Sequence, residues 1–335
     1  MRTLHIDSSI LNHLDGQRMP LKVNVVTNYT CNLACAYCDV KSLDKRMMST
    51  AQTIQMIDEL ADWGMQQIHF IGGEPLLRKD LGELLAQCKR HGITTAVHSN
   101  GLLVPEMDNQ LLDCIDVFHT CINGPKAIHE LSRGSETFEP IIEAVKVMRA
   151  MGASVVSDMV ITQTNCDQAS IDYVLDLAGE MGFRVNFQPV FEHALVNANN
   201  GMLDALRMTD RQLFSAFRYI LDRSDEKCVF NSKEYLTDIV TRGFSEFKRC
   251  YRGILSFVID PLGNISRCYK YVQQHQDING VHLGWREAIK RVHLTDCRQC
   301  LYSAHIEDNY IFQSSRLLSA IPMPKASGSC PDAEL

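Results

Sequence analysis

Six short apolar runs rich in β-branched residues recur along the first part of the chain: KVNVVT (22–27), QIHFIG (67–72), ITTAVHS (93–99), DVFHTCI (116–122), SVVSDMVIT (154–162) and RVNFQPV (184–190). Such runs read as strands. The stretches between them have helical spacing. Ile54, Ile57, Leu60 and Ala61 share one face of 50–64, and Ser49 with Gln52 three residues on forms a capping-box pattern. Segments 79–92, 137–152 and 169–182 each run to a glycine, a common helix stop. Strand–helix units repeated in this way imply a parallel sheet with crossover helices, its apolar strands covered on both faces. A doubly wound sheet and a partly closed (β/α) barrel both satisfy the pattern. Either places the working site at the C-terminal ends of the strands.

The alternation stops after residue 190. Residues 191–201 read as a loop, and 208–223 and 231–244 as amphipathic helices. In 255–270 two apolar runs flank Pro261-Leu262-Gly263-Asn264, a turn sequence, so a β-hairpin is expected. The Pro-, Ser- and Gly-rich end of the chain reads as loosely held.

Composition narrows the class. The chain has 335 residues, 45% hydrophobic and 22% charged, with a net charge of −7. That is an ordinary globular composition with size for one large domain plus an appendage. The acidic balance argues against nucleic acid or an anionic membrane held by bulk charge. No apolar run is long enough for a membrane span, and the first residues lack a signal-peptide pattern. A cytoplasmic protein is expected. Thirteen cysteines in such a chain point to metal or redox chemistry rather than disulfides.

Cys31, Cys35 and Cys38 sit at C-x₃-C-x₂-C spacing directly after the first strand. Three soft ligands in one loop suit zinc or an iron–sulfur cluster. A structural zinc site wants a fourth ligand from elsewhere. A cluster held by three cysteines keeps one position open for a ligand. The loop alone leaves both readings standing. One βα unit later comes Gly72-Gly73-Glu74-Pro75. Its glycines permit close approach of backbone to a ligand, and Glu74 supplies a negative acceptor. A plain βα turn with Pro75 opening the next helix is the structural alternative.

The cysteine loop followed by GGEP resembles the radical S-adenosylmethionine (radical SAM) enzymes, over roughly residues 20–190. The resemblance implies a partial (β/α)6 TIM-like barrel. It implies a [4Fe–4S] cluster on Cys31, Cys35 and Cys38, with S-adenosylmethionine on the fourth iron. Gly72, Gly73, Glu74 and Pro75 would cradle the methionine amino group, and Tyr37 would pack near the adenine. Ser99 and Asn100 match the family's polar end of the third strand. After the fourth strand, where relatives often carry Ser-Leu-Asp-Gly-Pro, this chain has Cys121-Ile122-Asn123-Gly124-Pro125. Cys121 is a weaker donor than serine and Asn123 carries no charge. By the same resemblance Arg133, in HELSRG, would be a carboxylate or ribose contact, the structural alternative being a solvated helix-end arginine.

Cys250, Cys268, Cys297 and Cys300 resemble the twitch domain, the half-size SPASM extension of these enzymes. The resemblance implies an auxiliary [4Fe–4S] cluster in a small C-terminal β-hairpin and helix extension. A Cys₄ zinc ribbon has the same spacing. Of the other cysteines, Cys88, Cys114, Cys166, Cys228 and Cys330 are expected to be small hydrophobes or incidental thiols. The implied organisation is an N-terminal segment (1–20), the barrel (21–195), a substrate-shaping helical linker (196–245), the auxiliary-cluster domain (246–310) and a tail (311–335).

Family chemistry would have the reduced cluster cleave S-adenosylmethionine to a 5′-deoxyadenosyl radical that takes a substrate hydrogen atom. Flavodoxin or ferredoxin would supply the electron. An auxiliary cluster with four cysteine ligands suits a net oxidation or bond formation. Candidates for a catalytic base are Glu192, His193, Tyr269 and Lys270. With only about twenty residues before the first strand, no fused leader-binding module is expected. The first substrate reading is a small metabolite or natural-product precursor such as a sugar- or cyclitol-like alcohol. The second is an oxidative cross-link in a ribosomally made peptide. A zinc-binding scaffold or a two-cluster electron carrier are the readings from other classes; neither needs GGEP or the barrel.

Overall fold

The computed structural model describes residues 4, 14, 18–190, 204–247, 249–272 and 277–315. The six runs form strands β1 (Lys22–Val26), β2 (Gln67–Ile71), β3 (Thr94–His98), β4 (Val117–Thr120), β5 (Ser154–Ile161) and β6 (Arg184–Pro189). They lie side by side in chain order, every pair parallel. The crossover helices are α1 (Thr50–Asp62), α2 (Leu81–Arg90), α3 (Asn109–Asp113), α4 (Lys126–Arg133), α5 (Phe138–Ala150) and α6 (Gln168–Met181). Helix α1 starts where its capping box predicts, with Ser49 and Gln52 bonded reciprocally. Helix α6 ends on Gly182 in the left-handed region. The short α3 and α4 were not expected from spacing, because each is too brief to show a helical period.

The two faces of the sheet differ. Val23, Val25, Ile68, Phe70, Val97, Phe118, Met159 and Phe187 are buried in the core against the helices. The alternate positions are largely polar: Lys22 and Asn24 on β1, His69 on β2, His98 on β3, His119 on β4, Asp158 on β5, Asn186 and Gln188 on β6. They line one cavity of about 340 Å³. The strands are therefore not apolar on both faces. They curl into a partial barrel with an apolar outside and a polar lumen, the parity that a period of two allows.

Helices α7 (Asp210–Asp222) and α8 (Lys233–Arg242) follow β6, close to their expected bounds. A short β7 (Ser245–Glu246) leads to the hairpin, β8 (Ser256–Ile259) and β9 (Ile265–Ser266), which is antiparallel as expected. Its placement was not legible. Strand β8 runs parallel to β1 and extends the barrel sheet, giving the order β6-β5-β4-β3-β2-β1-β8-β9. The edge of β1 is thus paired rather than left as an open template. The chain then forms α9 (Gly280–Leu283), α10 (Trp285–Arg291) and β10 (Gln299–Cys300), which pairs antiparallel with β7.

The last described helix, α11 (Ser303–Ser314), bridges the open side of the barrel. At one end Ser303 N donates to Gln188 Oε1 on β6 at 2.5 Å. One turn further on, Asp308 takes Lys22 Nζ of β1 at 2.8 Å and Arg252 Nη2 at 2.5 Å. The helix covers the gap between the first and sixth strands with a buried ion network. Among the described residues no helix is long and apolar enough to cross a membrane.

Candidate active site

The loop after β1 carries Cys31, Cys35 and Cys38, partly exposed at the strands' C-terminal edge. The Cys38 thiol lies in the field of both others, and burial pushes it up to about 11. One backbone N–H points at a sulfur: Leu33 N donates to Cys31 Sγ at 3.4 Å.

The GGEP loop packs against the base of this cysteine loop. Gly73 N donates to Asn28 O and Glu74 N to Thr30 O, each at 2.8 Å. A Cβ on Gly72 would lie 2.4 Å from Asn28 O, and one on Gly73 2.2 Å from Thr30 O. Gly72 also holds φ at +139°. Only glycine fits either position. The close approach that requires the glycines is therefore of chain to chain. Glu74 is buried, and its carboxylate accepts from Leu76 N at 3.0 Å and Asn100 N at 2.8 Å. It braces the β2 loop to the β3 loop. Burial raises its pKa against the pull of those two bonds. Pro75 opens a 3-10 turn, Pro75–Leu77. Asn100 Nδ2 reaches Asn32 Oδ1 at 2.7 Å, and Ser99 Oγ accepts from Gly101 N at 3.0 Å.

The remaining expected cofactor residues meet around Tyr37. Its hydroxyl accepts from Asn123 Nδ2 at 3.2 Å and Arg133 Nη1 at 3.1 Å, and lies 3.5 Å from Cys121 Sγ. Burial raises the phenol well above its ordinary pKa. Asn123 Oδ1 in turn accepts from Val160 N on β5. Tyr37, Cys121, Asn123 and Arg133 thus form one connected network, drawn from the cysteine loop, the β4 end and α4. Asn123 can accept that backbone bond and donate to Tyr37 together, which an aspartate could not do.

The other four cysteines also converge. Cys300 lies in the field of Cys250 and Cys268, and burial pushes its thiol up to about 12. The buried Arg267 guanidinium faces Cys250, Cys268 and Cys297. Asn309 Nδ2 of α11 is 3.6 Å from Cys250 Sγ.

Both thiol groups suit the anionic clusters that the resemblance implies. Each is rich in soft donors, and each has a buried guanidinium beside it with an unsatisfied Nε: Arg133 near Cys35 at the first, Arg267 at the second. An unpaired buried donor next to thiolates is costly unless negative charge sits there.

The lumen cavity is lined by chain neighbours of both groups. Tyr37, between Cys35 and Cys38, lines one part of it; Tyr269, next to Cys268, and Tyr302, two residues after Cys300, line another. Tyr269 stacks on His305 with ring centroids 5.3 Å apart. Lys270 is not among the described residues that line the cavity. Glu192 and His193 lie outside the described residues.

The reading of the sequence missed the lumen itself. His69, His98 and His119 face one another across three adjacent strands, and Asp158 stands behind them. Burial holds the His69 and His98 rings neutral well below the usual histidine range. Burial pushes Asp158 up, but His119 and His98 beside it and an Asn186 bond bring it below the usual carboxylate range. One signal existed. Each histidine interrupts an otherwise apolar or β-branched strand, at QIHFI, TTAVH and VFHT.

Residues 25–174 match the model of the radical SAM superfamily. This part of the chain is a radical SAM domain. Its curated relatives include mycofactocin maturase MftC of Mycobacterium tuberculosis (strain CDC 1551 / Oshkosh), 25% identical over 268 residues, covering 78% of this chain and 67% of the relative. The same maturase of Mycolicibacterium smegmatis is 26% identical over 262 residues, covering 76% and 65%. The chain thus spans about two thirds of the length of these relatives. Among solved structures, Streptococcus suis SuiB bound to the precursor peptide SuiA superposes with a TM-score of 0.67 at 15% identity, covering 86% of this chain and 71% of that one. The native anSMEcpe with bound AdoMet and the Kp18Cys peptide gives 0.63 at 17% identity, covering 82% and 81%. These likenesses establish the partial-barrel fold.

Proposed function

We propose that this radical SAM enzyme carries out an oxidative modification of a ribosomally made peptide, with an auxiliary iron–sulfur cluster beside the substrate. The observation that carries the proposal is the lumen cavity, bounded at one side by Tyr37 of the three-cysteine loop and at another by Tyr269 and Tyr302 of the four-cysteine set. A substrate held there is in reach of both groups. Kinship with a maturase, and the peptide-bound state of two structures of the same fold, favour a peptide over a free metabolite.

In this reading Cys31, Cys35 and Cys38 hold the cluster that binds S-adenosylmethionine, and Cys250, Cys268, Cys297 and Cys300 hold the auxiliary one. Together the bound groups supply reductive cleavage of the sulfonium and an electron sink for the oxidised substrate. The chain's own residues position and dry the site. Backbone carbonyls at Gly72 and Gly73 would receive the methionine amino group, because the Glu74 carboxylate already accepts from Leu76 N and Asn100 N. Arg133, bonded to Tyr37, would hold the carboxylate or ribose. Helix α11 keeps solvent out of the lumen from the open side of the barrel. Tyr269 and Tyr302 offer neutral hydroxyls to a peptide, and Lys22, Arg252 and Asp308 form a charged floor.

Anaerobically reconstituted protein with dithionite and S-adenosylmethionine tests this. Formation of 5′-deoxyadenosine is measured with host-cell extract split by ultrafiltration into small-molecule and peptide fractions. Stimulation by the peptide fraction is expected. Stimulation by the small-molecule fraction alone would return the reading to a metabolite. Zinc in place of iron at the four cysteines would remove the auxiliary cluster from it.

A further inference from the structure

We propose that His69, His98 and His119 bind a divalent transition metal ion inside the barrel, with Asp158 orienting the His119 imidazole. The site is separate from both cysteine groups and does not depend on the peptide reading.

Three observations meet here. One ring nitrogen from each histidine lies within 4.8 Å of the other two. His69 Nδ1 and His98 Nε2 are already 3.1 Å apart, and the His98 and His119 rings stack at 4.0 Å between centroids. Imidazole nitrogens about 2.0–2.1 Å from a tetrahedral ion sit a little over 3 Å from one another, so one pair is at that spacing and small ring rotations bring in the third. The strand register explains the convergence. His98 and His119 are direct partners on β3 and β4, and His69 is on the next strand over.

The carboxylate is the second observation. Asp158 Oδ2 is 3.1 Å from His119 Nδ1 and 3.7 Å from His98 Nδ1. The hydrogen bond places a proton on His119 Nδ1 and leaves its Nε2 as the free lone pair, while His98 lies within the field of the same carboxylate and turns its Nε2 toward His69. The acid is itself anchored: Asn186 Nδ2 donates to Asp158 Oδ1 at 2.8 Å, and Asn231 Nδ2 donates to Asn186 Oδ1 at 2.8 Å. Such a chain sets ring orientation in metal sites. A histidine kept only for packing has no need of it.

Access and charge are the third. The His98 side chain is 28% exposed, and all three rings border the cavity. An ion bound there keeps a position open to whatever occupies the lumen, the arrangement of three protein ligands found in catalytic rather than structural sites. Lys22 and Arg252, the nearby cations, are both bonded to Asp308, which blunts their repulsion of a dication. An all-imidazole donor set suits zinc, iron(II), cobalt or nickel, and lacks the thiolates of the cluster sites.

The test uses the cluster-loaded protein. It is dialysed anaerobically with Zn²⁺, then against metal-free buffer, and zinc and iron are measured by mass spectrometry. Wild type should retain one zinc per chain. His98→Gln, His119→Gln and His69→Gln should each lose it with iron content unchanged, which reports intact folding. Asp158→Asn should weaken it by about 10- to 100-fold. Anomalous scattering across the zinc edge in a soaked crystal should give a peak among the three rings. Zinc retained in the triple glutamine variant, a peak at the cysteines instead, or no zinc in wild type would overturn the site. None of these readouts uses cleavage of S-adenosylmethionine, so they leave the radical reading untouched.

Discussion

The two cysteine groups are built in opposite ways. The first takes three thiols from one eight-residue loop, partly exposed, directly after a strand. The second takes four thiols from segments spread over Cys250–Cys300 and sets them among core elements: β7 pairs with β10, β8 pairs with β1, and Asn309 of α11 reaches Cys250. The first group is a local device that the scaffold displays. The second gathers segments of the C-terminal third that pack against the barrel. Loss of the first should therefore abolish chemistry and spare the fold, and loss of the second should cost both.

Substitution of the loop cysteines is the largest expected effect. Cys31→Ala, Cys35→Ala or Cys38→Ala should bring 5′-deoxyadenosine formation to background in an anaerobic assay, with little change in thermal unfolding. Cys268→Ser or Cys300→Ser should instead lower stability by about 2–4 kcal/mol and leave some S-adenosylmethionine cleavage. The same phenotype from both groups would break the comparison.

Asp308 joins the two regions, since it binds Lys22 of β1 and Arg252 near the second group. Asp308→Asn leaves two buried cations without their counter-charge. The expected cost is about 3–5 kcal/mol by denaturant unfolding, with α11 losing protection from hydrogen exchange before the strands do.

Glu307, one residue earlier, sharpens the same contact through pH. Burial raises its carboxyl from 4.5 to about 7. Below 4.5 both folded and unfolded chains hold the proton. Between 4.5 and about 7 the unfolded chain sheds it first, so this residue's contribution falls as pH rises through that window and stays low above it. The loss is roughly 1–3 kcal/mol. Glu307→Gln should flatten the slope in urea titrations at a series of pH values, whereas Glu139→Gln, an exposed control, should not.

Tyr37→Phe is an expected effect of similar size. It removes one hydroxyl that accepts from Asn123 and Arg133, at about 1–3 kcal/mol because two buried donors are left unsatisfied. The apparent affinity for S-adenosylmethionine should fall while the iron content of both groups stays constant.

Much of the barrel was legible because its signals are local. Capping boxes, glycine stops and β-branched runs act over a few residues, and the six strands fall within one or two residues of expectation. The cysteine loop and GGEP were legible for the same reason. The purpose of the glycines was not. Their backbone presses on Asn28 and Thr30, a contact that joins two loops more than forty residues apart in the chain. The brace role of Glu74 was hidden likewise, because its partners include Asn100 of another loop.

The sequence by itself determined the element order, the resemblance to radical SAM enzymes and the residue types able to hold clusters. Periodicity and short spacings carry these, and they depend on neighbours in the chain. Only the tertiary structure decided that β8 would pair with β1, that α11 would bridge β1 to β6, and that three histidines would meet at one level of the lumen. Those outcomes depend on register between distant strands and on which face of each strand turns inward, and a shift of one residue would have sent every histidine to the apolar side.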